Sequence, residues 1–199
     1  MPTLEERQRE MSEYLKDDME NIFSLRTYQT MESLRARKPE ILQSLIDAVK
    51  SASALAQPLI DCGKKQKIKC LQFSFLLSNA LTRELRFRMD FYDTRYYADI
   101  TGSGGYWDYS ELFPFIDEDM ESLRGKLVKR FTRVKDYELT DIRMIYCVGV
   151  FAIMEMVLAE LATETAFEEV LTEVFESEVY VMYGAYLDQS KLIAKIGGR

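Results

Sequence analysis

Between Glu84 and Phe91 the chain alternates charged and apolar residues without exception, as Glu-Leu-Arg-Phe-Arg-Met-Asp-Phe. Successive side chains of a strand point to opposite faces, so this run predicts a strand with Leu85, Phe87, Met89 and Phe91 on one face. Arg86, Arg88 and Asp90 then share the other. The residues before and after return to helical spacing, which puts a sheet in the middle of the chain and helices at both ends.

Around that strand, Ile68–Leu77 is rich in strand formers, and the polar stretch 78–82 suits a hairpin connection. A second hairpin is expected from Arg95–Ile100, a turn at Thr101-Gly-Ser-Gly-Gly105, and Tyr106–Tyr109. Residues 67–109 thus read as an antiparallel meander of three or four strands. Upstream, Thr3-x-x-Glu6 is a capping box, and Leu4, Met11, Leu15, Met19, Ile22 and Leu25 form an apolar stripe. Pro39 suits the first turn of a second helix, with Leu42, Leu45, Val49, Ala52 and Leu55 buried and Pro58 as its end. Downstream, Ile116, Met120, Leu123, Leu127, Phe131 and Val134 mark a third helix. Thr140 is expected to cap a nearly all-apolar fourth helix through Leu161, and the capping box Thr165-x-x-Glu168 opens a last one reaching Leu187. The expected fold class is α+β: an N-terminal helical pair (1–60), a central meander (67–109), and a C-terminal three-helix segment (110–199) packed on the sheet. Segregated strands and helices argue for this class, and neither terminal part has enough surface to bury alone, so one domain over 1–199 is expected.

The 199 residues include no histidine, and 26 Lys and Arg stand against 33 Asp and Glu. Without histidine no Ser-His-Asp or Cys-His pair can form, and histidine-containing zinc and iron sites are excluded. Three cysteines without a C-x-x-C spacing point to a reducing compartment, and Met1–Arg7 has no apolar run of the signal-peptide kind. A cytoplasmic location is expected. Met144–Met154 is uncharged but far shorter than the about 20 residues of a spanning helix, and reads as a core helix. No metal or cofactor is expected. Asp117, Glu118 and Asp119 at a helix start read as dipole partners rather than as ligands for one ion. Cys147 reads as a small core hydrophobe, and Cys62, beside lysines, as the more reactive thiol.

Two surfaces stand out. Half of the aromatic residues lie between Phe73 and Phe115, and Tyr96, Tyr97, Tyr106 and Trp107 form a candidate ligand or partner platform with Arg86 and Arg88 beside it. Lys64, Lys65, Lys67, Lys69 and Arg83 add basic character near the sheet, but interleaved acids and the acidic chain rank nucleic acid last among partners. From Met144 to Ser190 there is no Lys or Arg but nine acids, and Glu168, Glu169, Glu173 and Glu176 form a candidate acidic partner face. These features favour a non-catalytic binding protein acting through a protein partner, self-association or a modest ligand. The alternative is a small-molecule sensor or histidine-independent enzyme, with a pocket between meander and C-terminal helices lined by Tyr96, Tyr106, Trp107 and Glu155.

Overall fold

The computed structural model describes residues 3–175 and 178–197. It is an α+β structure with a five-stranded mixed sheet, in which β3 (Gly104–Asp108), β2 (Arg86–Asp93), β1 (Ile68–Phe75), β4 (Val179–Ala185) and β5 (Ser190–Ile196) lie side by side in that order. The alternating run forms β2 (Arg86–Asp93), paired antiparallel with β1 (Ile68–Phe75) and β3 (Gly104–Asp108). These three strands are the expected meander. Arg95–Ile100 adds no strand to it, because Tyr96–Ala98 is a 3-10 turn.

The last expected helix is the largest correction. Helix α5 (Thr165–Phe175) ends early, and two strands follow it, β4 (Val179–Ala185) and β5 (Ser190–Ile196). Strand β4 pairs parallel with β1, and β5 pairs antiparallel with β4. Val-Tyr-Val-Met-Tyr is strand-forming chemistry, since β-branched and aromatic side chains fit a pleated surface. Thr165 is the first residue of α5 rather than its cap.

The N-terminal pair is one helix, α1 (Leu4–Asp61), broken in geometry at Arg37, whose φ of −121° and ψ of 20° are not helical. Pro39 explains the kink, since it has no N–H for the preceding turn and its ring crowds the carbonyl four residues back. Pro58 does not end the helix. The chain turns at Gly63, whose φ of +73° is open to glycine, and whose N–H donates to the Ile60 carbonyl at 2.9 Å. The capping box at Thr3 forms as expected, with Thr3 N–H to Glu6 Oε2 at 2.7 Å and Glu6 N–H to Thr3 Oγ1 at 3.2 Å.

Helix α3 (Ile116–Arg130) and helix α4 (Asp136–Leu161) complete the helical layer, with the short α2 (Asn79–Thr82) in the β1–β2 connection. Helix α4 starts four residues before Thr140, whose hydroxyl donates back to the Asp136 carbonyl at 3.1 Å. By length and composition α4 could cross a membrane, yet half of its most apolar window is buried inside the fold. Ion pairs tie α1 along this layer. Arg26 holds the buried Asp119 at 2.6 Å, Arg7 holds the buried Glu138, and Lys38 reaches Glu160 and Glu164 at 2.8 Å each. Burial pushes the Glu138 carboxyl up, but Arg7 and the Lys135 N–H outweigh it and hold the group below its ordinary range.

All of these helices lie on one side of the sheet. That side carries Leu71 and Phe73 of β1, Phe87, Met89 and Phe91 of β2, Trp107 of β3, and Val179, Val181 and Tyr183 of β4, all buried. Two glycines before Trp107, Gly104 and Gly105, allow close packing here. Gly102, Gly104 and Gly105 all lack the positive φ expected of a hairpin turn. Instead, a Cβ on Gly104 would sit 1.9 Å from the Met89 carbonyl oxygen, and one on Gly105 would sit 2.8 Å from Ala52 Cβ of α1. The other side of the sheet carries no helix among the described residues.

Candidate functional site

The helix-free face of the sheet is assembled from two ends of the sequence. In one row of registered residues, Tyr92 of β2 lies beside Cys70 of β1, which lies beside Tyr180 of β4. In the next, Asp90, Gln72, Met182 and Leu192 follow one another across β2, β1, β4 and β5. Residues 94–103 leave β2 and fold back over these rows. The Tyr97 ring meets the Tyr92 ring edge-on at 5.4 Å, and its hydroxyl shares a 2.9 Å hydrogen bond with Ser190 Oγ of β5. Ser190 Oγ in turn accepts from Gln72 Nε2 at 2.7 Å.

Beneath this loop is a cavity of about 270 Å³ lined by Cys70, Gln72, Tyr92, Tyr96, Tyr97, Tyr180, Met182 and Leu192. No lining side chain is charged. Tyr96 and Tyr97 are about half exposed at its mouth, while Cys70 and Gln72 are buried at its floor. Burial pushes the Cys70 thiol up to about 12 and raises the Tyr92 hydroxyl as well, so both stay protonated and neutral at ordinary pH. A neutral thiol is a poor nucleophile, and Cys70 gives the floor a soft apolar surface beside the Gln72 amide.

A buried ionic cluster holds the loop in place. Lys65 and Asp99 have side chains that are 0% exposed, and they form an ion pair. Lys65 Nζ also donates to the Thr101 carbonyl at 2.9 Å, and Asp99 accepts from the backbone N–H groups of Asp93 and Thr101 at 3.2 and 3.1 Å. Asp93, also fully buried, takes Arg95 on both carboxylate oxygens and the N–H groups of Arg95 and Gln66 at 2.9 and 3.0 Å. The Arg95 guanidinium, with those N–H groups, outweighs burial and holds the Asp93 carboxyl well below the usual carboxylate range. Between these anchors Tyr96 adopts a φ of +51°, a left-handed conformation unusual for an aromatic residue. Such strain persists only where surrounding contacts over-determine it, and here the ionic cluster does so.

Around the cavity, cations of the chain itself cover tyrosines of the same face, Tyr180 of the lining among them. The Arg86 guanidinium lies 4.3 Å from the Tyr106 ring centre, Arg88 lies 4.5 Å from Tyr186, and Lys195 lies 5.8 Å from Tyr180. Arg88 is also held by Asp90 at 2.8 Å, Arg86 by Glu84 at 2.9 Å, and Lys195 by Glu178 at 2.9 Å.

The structure therefore divides the expected platform. Tyr96 and Tyr97 line the cavity, and Tyr106 stands exposed on the same face with Arg86 and Arg88. Trp107 does not join them. It is one residue on from Tyr106, so it points to the core, where its indole N–H donates to Ser44 Oγ of α1 at 3.2 Å. Glu155 is not in the lining either and pairs with Lys191 at 3.0 Å. The residues expected to line a pocket between meander and C-terminal helices are thus not together. That space is filled by Phe75 stacked on Phe151 at 4.3 Å and by Phe87 against Tyr109 and Tyr183.

On the acidic face, Glu155, Glu160, Glu164 and Glu178 are matched by lysines of the same chain. Glu168, Glu169 and Glu173 are exposed with no cation partner among the described residues, and Glu176 lies outside the described residues. Asp117 and Asp119 diverge to Arg143 and Arg26, and no group of three or more acids or cysteines among the described residues could hold a metal ion. Larger depressions exist, of about 560 Å³ between α3 and α4 and about 500 Å³ at the α1 kink. Their linings are strongly charged, and Arg143, Arg124 and Arg37 there are already paired with acids.

Two outcomes follow for the ionic cluster. Removing one partner of a buried pair strands the other charge at a cost of about 3–5 kcal/mol, so Lys65→Met should lose about that much stability in urea unfolding and open residues 94–103 to protease first. A carboxyl whose pKa is lowered by folding adds stability that is complete above its unfolded value near 4 and drains away as pH falls toward the folded value. Asp93→Asn should therefore weaken the protein at neutral pH and flatten the decline in unfolding midpoint below about pH 4. Compared with known proteins, the chain matches no family model, no curated protein and no solved structure, so only the chemistry of the site speaks for its function.

Proposed function

We propose that this chain is a non-catalytic binding protein whose ligand-taking surface is the helix-free face of the sheet. The observation that carries the reading is the uncharged, tyrosine-walled cavity of about 270 Å³, built from four strands and a loop clamped by a fully buried ion pair. Its size is near the lower end of small-molecule pockets, about 300–1,000 Å³, and its lining is of their kind: mostly apolar, with a few polar atoms at the floor. Sites of this sort work when rigid elements hold them, and the ionic cluster supplies that rigidity. The chemistry of the floor supports binding over catalysis, since the thiol and the Tyr92 hydroxyl are both held neutral.

The test is to fill the cavity. Met182 is partly exposed, and Met182→Arg puts a guanidinium among the tyrosine rings without disturbing the helix-packed side of β4. In a ligand-observed NMR screen of small apolar and cationic compounds, the wild type should give binders that Met182→Arg loses at least about tenfold in affinity. Retention of every binder by the variant would remove the cavity from consideration.

The three unmatched acids support a second reading, capture of a basic partner along α5 or self-association there. Replacing Glu168, Glu169 and Glu173 with Gln should leave stability within about 0.5 kcal/mol of wild type, because these residues are exposed and have no ion-pair partner among the described residues. Pull-downs with a basic peptide and sedimentation should both weaken. Unchanged capture and unchanged sedimentation would leave the α5 acids as ordinary solvated charge.

A further inference from the structure

We infer that the cavity takes a methylated quaternary ammonium group, an assignment that rests on the binding reading above and names its ligand class. The first ground is what the face already does. Tyr106 and Tyr186, outside the cavity, and Tyr180, on its β4 wall, each have a cation of the same chain within 5.8 Å of the ring centre. The other three tyrosine walls, Tyr92, Tyr96 and Tyr97, have no such cation over the ring among the described residues. The negative faces of aromatic rings attract cations, most strongly where water is excluded.

The second ground is where the hydroxyls of two of the walls are held. The Tyr97 hydroxyl is engaged by Ser190 at 2.9 Å and the Tyr180 hydroxyl by Glu178 at 2.8 Å. Both oxygens are thereby drawn to partners outside the lining or at its edge, so ring carbon is left for the cavity. The edge-on meeting of Tyr92 and Tyr97, 65° between planes, sets two walls at an angle like those of a cage.

The third ground selects a methylated cation over a bare one. An ammonium brings three N–H donors that must be satisfied when it leaves water. The cavity offers few acceptors for them: Gln72 Nε2 is turned to Ser190, which leaves its Oε1 beside the Tyr92 and Tyr96 hydroxyls, and Asp90, outside the lining, is held by Arg88 through both carboxylate oxygens. A quaternary ammonium has no N–H to satisfy. Its methyl groups meet Met182, Leu192 and ring carbon, while its charge meets the ring faces and the one free carbonyl oxygen.

The ligand source is either a free amine such as choline or the headgroup of a phosphocholine lipid. The experiment titrates wild-type protein with tetramethylammonium, with choline, and with 3,3-dimethyl-1-butanol, the neutral carbon isostere of choline, and floats it with phosphatidylcholine vesicles. Choline should bind at least about tenfold tighter than the isostere. Tyr97→Leu, which keeps apolar bulk and removes the ring, should lose at least about tenfold in choline affinity, whereas Tyr97→Phe should stay within about threefold. Flotation with vesicles together with choline binding assigns the lipid headgroup, and choline binding alone assigns the free amine. Equal or tighter binding of the isostere at the same tyrosines would overturn the cation while leaving a binding cavity in place. Failure of every probe, charged and neutral, would overturn both.

Discussion

The parallel pairing of β1 with β4 is the constraint on which the rest of this molecule depends. It joins Cys70 to Tyr180 and Gln72 to Met182 across more than half the chain, after helices α2 to α5 have intervened. On one side it closes the core, setting Val181 and Tyr183 beside Leu71 and Phe73, and the Tyr183 hydroxyl reaches the Phe151 carbonyl of α4 at 2.5 Å. On the other side it brings Tyr180, Met182 and, through β5, Leu192 next to Tyr92. Without that pairing neither a two-sided sheet nor the cavity exists. Contacts so distant in sequence are costly in loop entropy, and buried apolar area on the helix side is what repays them.

The two faces of the sheet use different chemistry for the same geometric reason. Helices shield one face, which is filled by Phe, Val, Met and Trp in close ring contact. Among the described residues the other has only the 94–103 loop and its own long side chains for cover. Tyrosine suits such a surface, since its ring can be half-buried and its hydroxyl wet, and arginine stems lie across it with their heads paired. The loop is held by charge instead of apolar area. Lys65, Asp93 and Asp99 are all removed from water, and each has several polar partners, the condition under which buried charge is tolerated.

Much of the fold was legible in the sequence, and the limits have physical causes. Strand β2 declared itself because its two faces meet opposite environments, one apolar core and one surface of Arg88, Asp90 and Tyr92. Strand β4 did not, because Tyr180 and Met182 on the open face are as apolar as Val179 and Val181 on the core face. A strand apolar on both sides loses its period of two, and the helical spacing of α5 then seems to run on through it. That single ambiguity hid Tyr180, Met182 and Leu192, and with them the partners of Cys70 and Gln72. Tyr96, Tyr97 and Tyr106 were legible as a surface platform from their crowding. Trp107 was misplaced although the strand parity beside Tyr106 assigns it to the core. Lys65 looked like one more solvated lysine, since burial of a charge is decided by a partner 34 residues away and not by its neighbours.

The most direct test of this account is whether the Met182 methyl group feels a ligand. Met182 lies in the cavity wall, whereas Met89 and Met154 are sealed in the core on the far side of the sheet. In a carbon-13 methyl spectrum assigned with Met182→Leu, titration with tetramethylammonium should move the Met182 resonance progressively, with the ring-current shift of a methyl held among tyrosines. Met89 and Met154 should stay still. A Met182 resonance that does not move at saturating ligand, or that moves no more than the core methionines, would contradict the assignment of this face as the binding surface.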